Sequence, residues 1–124
     1  MELSDGNKIY RLTADLLMAI QNAEMVALAD FGITPAIYEE IQEELERSGE
    51  NVENLTMPPY AIAFQADRTG RIPLYSYETQ ADPQSRRVAC QFWAEGLKTD
   101  LTLIADYKER QGEASLIFRL LETQ

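Results

Sequence analysis

The sequence has no histidine and a single cysteine, Cys90. Without histidine there is no Ser-His-Asp or Cys-His nucleophile system. The commonest zinc sites and the facial-triad iron site are excluded too. One cysteine cannot cross-link the chain to itself, which points to a reducing cytoplasm. No Gly-rich loop has phosphate-binding spacing, and Gly96 and Gly112 stand alone as turn glycines. The expectation is therefore no metal and no cofactor. No apolar run approaches the roughly 18 residues of a membrane span. The opening Met1-Glu2-Leu3-Ser4-Asp5-Gly6 lacks the basic-then-apolar pattern of a secretory leader.

Positive charge is also scarce. The chain holds 11 basic and 21 acidic residues, a net charge of −10. Residues 1–54 carry twelve acidic and three basic side chains, and residues 55–124 carry nine and eight. A phosphate-backbone binder needs a basic face, so direct nucleic-acid binding is not expected, and neither is a membrane. A basic protein partner fits the charge better. The bland reading is an acidic surface that keeps the chain in solution.

What is present reads as one domain over residues 1–124, helical over 5–49 and sheet over 57–122. Ser4 or Asp5 can cap a first helix, whose stripe is Ile9, Leu12, Leu16, Leu17 and Ile20. The apolar pattern runs on through Met25, Val26 and Leu28 to Phe31, as one helix or as two with a break near Ala23. Gly32 ends it. Thr34-Pro35 supplies an N-cap and a first-position proline for the next helix. Its buried stripe is Ile37, Ile41 and Leu45. First-turn acids suit its dipole, Arg47 suits its end, and Ser48-Gly49 stops it.

Glu50–Thr56 is polar and reads as a loop. Met57-Pro58-Pro59 forces an extended lead-in. Tyr60–Phe64 alternates large and small, as a strand does. Asp67-Arg68-Thr69-Gly70 and Ala81–Ser85 are turn signals. Pro73 places the Ile72–Tyr77 strand at an edge, or marks a strand start. Three stronger strands follow, Arg86–Ala94, Asp100–Glu109 and Ala114–Glu122, with a turn at Gln111-Gly112. Helices first and an antiparallel meander afterwards give an α+β fold. Val88/Cys90/Phe92, Leu101/Leu103/Ala105/Tyr107 and Ala114/Leu116/Phe118/Leu120 line the predicted inner face. The other face is mixed, fit for partial cover or for a homodimer, so monomer and homodimer both stay open.

Two candidate sites emerge. Glu39, Glu43, Glu46 and Glu50 step by three or four into an acidic ridge, which a basic partner would relieve of its like-charge repulsion. A solvated helix face is the alternative. The second is a pocket between the first helix and the sheet, lined by Asp15, Tyr75, Tyr77, Trp93 and Asp100. Carboxylates are plentiful, so a carboxylate acid–base pair stays open there, given one shifted by burial or by a like charge. Structurally, Glu95 and Asp100 instead bond the N–H groups of a turn, and Cys90 is a buried thiol.

The helix at "ITPAIYEEI", the Met57-Pro58-Pro59 lead-in and "FWAEGLKTDLTL" between two strands carry a resemblance. With them, residues from about Ile9 to Leu121 resemble a family of small bacterial domains of the cystatin-like, nuclear-transport-factor-like fold. In that family the link between Glu-Gly and Asp-Leu-Thr-Leu is shorter; here Leu97-Lys98-Thr99 occupies it. The resemblance implies helices in the concave face of a strongly curved antiparallel sheet, a cone. Such folds host enzymes, carriers, dimerisation modules and toxin-immunity proteins, so fold alone does not choose among them. The leading expectation is a non-enzymatic protein-binding module, in its concrete form an immunity-type inhibitor of a basic toxin. The runner-up is a small-molecule binder or carboxylate-dependent lyase or isomerase that uses the cone interior.

Overall fold

A computed structural model describes residues 3–79 and 84–123. The chain order is α1 (Leu3–Asn22), α2 (Met25–Asp30), α3 (Pro35–Ser48), a 3-10 turn (Val52–Asn54), β1 (Leu55–Thr56), α4 (Tyr60–Ala63), β2 (Leu74–Glu78), β3 (Ser85–Ala94), β4 (Leu97–Arg110) and β5 (Glu113–Thr123). The helices pack against a curled antiparallel sheet, an α+β architecture. The Ala81–Pro83 part of the expected turn lies outside the described residues.

α1 starts before its expected caps, so Ser4 and Asp5 sit within its first turn. Its stripe is Ile9, Leu16, Leu17 and Ile20, all buried, with Leu12 half-buried. The break falls at Ala23, which adopts φ 53°. Ala23 N–H donates to Ile20 O and Glu24 N–H to Ala19 O, the paired bonds of a Schellman cap. Alanine is strained in that left-handed position. Ala23→Gly is therefore expected to raise stability by about 1 kcal/mol, read from a thermal or urea midpoint. A midpoint that stays put would mean the cap relaxes without glycine.

α2 turns only Leu28 fully inward, and Met25 and Val26 face solvent. Thr34 caps α3 as expected, its Oγ1 accepting Ile37 N–H at 3.2 Å, and Gly49 ends it at φ 79°. The first turn of α3 holds no acid, because its glutamates begin one residue later at Glu39. The 50–56 segment is more ordered than a loop. Asn51 caps the 3-10 turn, and Leu55 and Thr56 pair with Ala94 and Trp93. Gln21 of α1 donates to both Val52 O and Leu55 O, tying this segment to the helix.

Tyr60–Phe64 is not a strand. Two facts decide it. Pro58 and Pro59 lack the N–H groups a ladder needs. The outer edge of β3 is also already taken, by β2 at Arg86–Cys90 and by β1 at Trp93–Ala94. The segment closes into α4 and buries Ala63. Tyr60 meets Tyr10 of α1 edge-on at 5.0 Å between centroids.

The sheet order is β1-β3-β4-β5, with β2 also paired to β3. Two-residue turns join its long strands. Glu95-Gly96 has φ 52° and 79°, and Gln111-Gly112 has 53° and 82°, the type I′ signature whose twist suits a hairpin. Leu97-Lys98-Thr99 thus belongs to β4. Trp93 pairs with Lys98, and Gln91 with Thr102. Two more residues of β4 than of β3 lie between these pairs, a bulge centred opposite Phe92. A second bulge sets Arg119 between Leu120, paired with Ile104, and Phe118, paired with Ala105. It reverses the alternation of β5. Leu120 is 47% exposed and Leu121 takes the inner position at 7%. The expected inner face holds elsewhere on its three strands, with Ala114 at its half-buried margin.

Candidate functional site

α3 lies with Ile41 and Leu45 in the core, and its Tyr38 hydroxyl reaches Ile20 O at 3.4 Å. That orientation leaves Glu39, Glu40, Glu43 and Glu46 exposed. Among the described residues none of these four has an ion-pair partner. Glu44, beside them, is held by Arg47 and by the Thr123 hydroxyl. The ridge ends at Glu46. Gly49 turns the chain left-handedly, so Glu50 leaves the helix axis and sits half-buried beside Asn51 and Val52.

The cone interior is filled. Leu16 and Leu103 are fully buried, Phe92 is 1% exposed, and Phe118 closes the same core. The five candidate pocket residues do not meet there. Asp15 is exposed on the outer side of α1, in an open cleft of about 430 Å3 that it shares with Asn7, Tyr10, Arg11, Ala14 and Tyr60. Tyr75 and Tyr77 stack on each other along β2. Trp93 lies on the outer face of β3, and Asp100 is exposed in the β4 bulge.

Among the described residues neither Asp100 nor Glu95 makes a side-chain hydrogen bond to the turn. Thr99 and Gln91 brace the bulge instead. Thr99 Oγ1 donates to Phe92 O at 2.7 Å and accepts Leu101 N–H, while Gln91 Nε2 donates to Thr99 O at 2.9 Å. The sequence singled out neither residue, although a threonine and a glutamine on facing strands were the available signal.

The outer face carries a strap that sequence reasoning missed. Residues 67–71 form the expected turn and then bind the sheet at two points. Lys98 Nζ reaches Asp67 Oδ2 at 2.7 Å, and Arg71 Nη2 reaches Thr102 Oγ1 at 2.7 Å. Gln91, the partner of Thr102, is buried on this face. Gln91 Oε1 and Trp93 Nε1 are buried here without hydrogen-bond partners among the described residues.

Asp67 also accepts bonds from the Thr69 hydroxyl and from the N–H groups of Thr69 and Arg71. The Lys98 ammonium first, and these donors after it, hold its carboxyl well below the ordinary range. A depressed carboxylate stabilises the fold above its unfolded pKa of about 4. That contribution is lost as the pH falls through the folded value. The wild type is expected to melt above Asp67→Asn at pH 7, with the gap closing in strong acid. A pH-independent gap would disprove the ionic origin.

Elsewhere, Lys8 first and the Tyr107 hydroxyl second hold Glu109 low, pinning α1 to β4. Burial pushes the Cys90 thiol far above its ordinary pKa, away from the thiolate that reacts. Among the described residues no group of three or more Cys, Asp and Glu side chains is placed to hold a metal ion. No helix there is long and apolar enough to cross a membrane. Compared with known proteins, the chain matches no family model, no curated protein and no solved structure.

Proposed function

We propose that this chain is a non-catalytic bacterial protein-binding module that engages a basic protein partner through α3. In its most concrete form it is an immunity-type inhibitor that masks a basic toxin. The observation that carries this reading is the unpaired acidic face of α3. Glu39, Glu43 and Glu46 lie along one exposed side of a capped helix, with no ion-pair partner among the described residues. Like charges at this spacing destabilise a helix slightly, and a partner bearing Lys and Arg relieves that and gains steering on approach. The family resemblance belongs to the same proposal. It is supported by the helices in the concave face and by the Glu95-Gly96 turn that leads into the Asp100–Leu103 strand.

The test is affinity capture at low and high salt, with the wild type and with Glu39→Lys/Glu43→Lys/Glu46→Lys. A basic partner released by salt and lost from the triple variant is the expected result. The loss is expected to be tenfold or more, because reversal replaces each attraction by a repulsion, about 1.4 kcal/mol in all at least. Salt-insensitive capture, or capture unchanged by the reversal, would sink the reading.

A further inference from the structure

The strap covers only one end of the outer sheet face. Two rows run across β2, β3, β4 and β5 on the rest of this face: Tyr77–Arg87–Asp106–Ile117 and Tyr75–Ala89–Ile104–Leu120, exposed at their ends, half-buried at Arg87, Asp106 and Ile104, and buried at Ala89. At one margin Tyr75 and Tyr77 stack with centroids 6.0 Å apart. At the other, Ile117 and Leu120 are exposed. Between the margins Asp106 is gripped by Arg87 Nε at 3.0 Å and by Arg119 Nε at 3.4 Å. Among the described residues one carboxylate is paired with two guanidiniums, which leaves this cluster net positive. Arg119 is the looser of the two, with a side chain 54% exposed against 31% for Arg87, and its guanidinium keeps donors to spare.

We propose that this face docks an acidic protein segment whose carboxylates alternate with aliphatic or aromatic side chains. Charge complementarity selects that occupant. A carboxylate completes the donor set of Arg119, and apolar side chains on either side cover the tyrosine pair and the Ile117–Leu120 margin. A second copy laid face to face about a two-fold axis sets like charge against like charge. A nucleic acid needs several phosphates neutralised, and each tyrosine ring already has one face covered by the other. The sign of the face is opposite to that of α3, so the two surfaces suit different partners.

The test uses two synthetic peptides of alternating pattern, identical except that one carries Glu and the other Lys. Each is titrated into the isotope-labelled full chain and followed by NMR. The acidic peptide is expected to shift Tyr75, Tyr77, Ile104, Ile117, Arg119 and Leu120, and the basic peptide to leave them in place. Arg119→Glu is expected to weaken the acidic peptide about tenfold or more. Glu39→Lys/Glu43→Lys/Glu46→Lys keeps its binding, which separates this proposal from the α3 reading. Shifts of equal size with the Lys peptide would overturn it. So would no shift up to millimolar acidic peptide, or undiminished binding by a folded Arg119→Glu variant. Equal shifts from a single-stranded oligonucleotide or from anionic vesicles would overturn the choice of a protein segment. A dimer through this face would reassign it to a second copy.

Discussion

Phe92→Ala is expected to destabilise the fold by about 3–5 kcal/mol, the range for deleting a buried aromatic side chain from a packed core. Phe92 points inward from β3 and is 1% exposed. Its carbonyl accepts the Thr99 hydroxyl that braces the β4 bulge, and alanine keeps that bond. The loss is therefore one of packing, with the polar brace intact. A domain of this size is stable by only about 5–15 kcal/mol, so the variant should approach the unfolding threshold at body temperature. Urea unfolding should show a much lower midpoint at nearly constant slope. The experiment also probes the cone interior. A loss under about 1 kcal/mol would mean that Phe92 borders space rather than side chains. That result would revive an interior pocket. A full loss fits an interior already occupied by Leu16, Leu103 and Phe118.

The parts of the fold legible in the sequence are those that local chemistry fixes. Thr34-Pro35 and Gly49 bound α3 from both ends. Gly96 and Gly112 mark the two hairpins, and the alternation on either side of Gly96 gives the inner face of β3 and β4. What stayed hidden depends on partners far along the chain. Tyr60–Phe64 has a strand's alternation, yet whether it can pair depends on the outer edge of β3, which residues 55–56 and 74–78 fill. Leu120 and Leu121 are equally apolar, and only the bulge at Arg119 decides which turns inward. For the candidate sites the same division holds. Glu39, Glu43 and Glu46 could be placed because helical spacing is local. Glu50 was carried one step too far along that spacing, past the glycine that ends it. Asp15, Tyr75, Tyr77, Trp93 and Asp100 have the right chemistry for a pocket, but residue type does not bring distant elements together. The strap's bonds to Lys98 and Thr102 each span 31 residues, beyond any periodicity.

Gly32→Ala is expected to cost about 2 kcal/mol or more, from two sources that can be measured apart. Gly32 closes α2 in a left-handed conformation, φ 77°. Its N–H donates to Ala29 O and Ile33 N–H to Leu28 O, the same Schellman pair seen at Ala23. A side chain in that conformation costs about 1–2 kcal/mol. The second source is contact. A Cβ on Gly32 would meet Ile117 Cγ2 at 3.0 Å, so the Ile117 side chain must give by a few tenths of an ångström. There is little slack, because the neighbouring Phe31 carbonyl accepts Phe118 N–H at 2.8 Å and stitches the α2–α3 corner to β5. Gly96→Ala and Gly112→Ala supply the reference. Both glycines have nearly the same φ, 79° and 82°, and a Cβ on either meets nothing within 4 Å. They should show the conformational cost alone. The excess at Gly32 then measures the clash, and Ile117→Ala should recover part of it in a double-mutant cycle. If Gly32→Ala costs no more than Gly96→Ala, the corner yields to Ile117 and is not clamped against β5. An excess that Ile117→Ala relieves would show that the helical corner and the last strand move as one body.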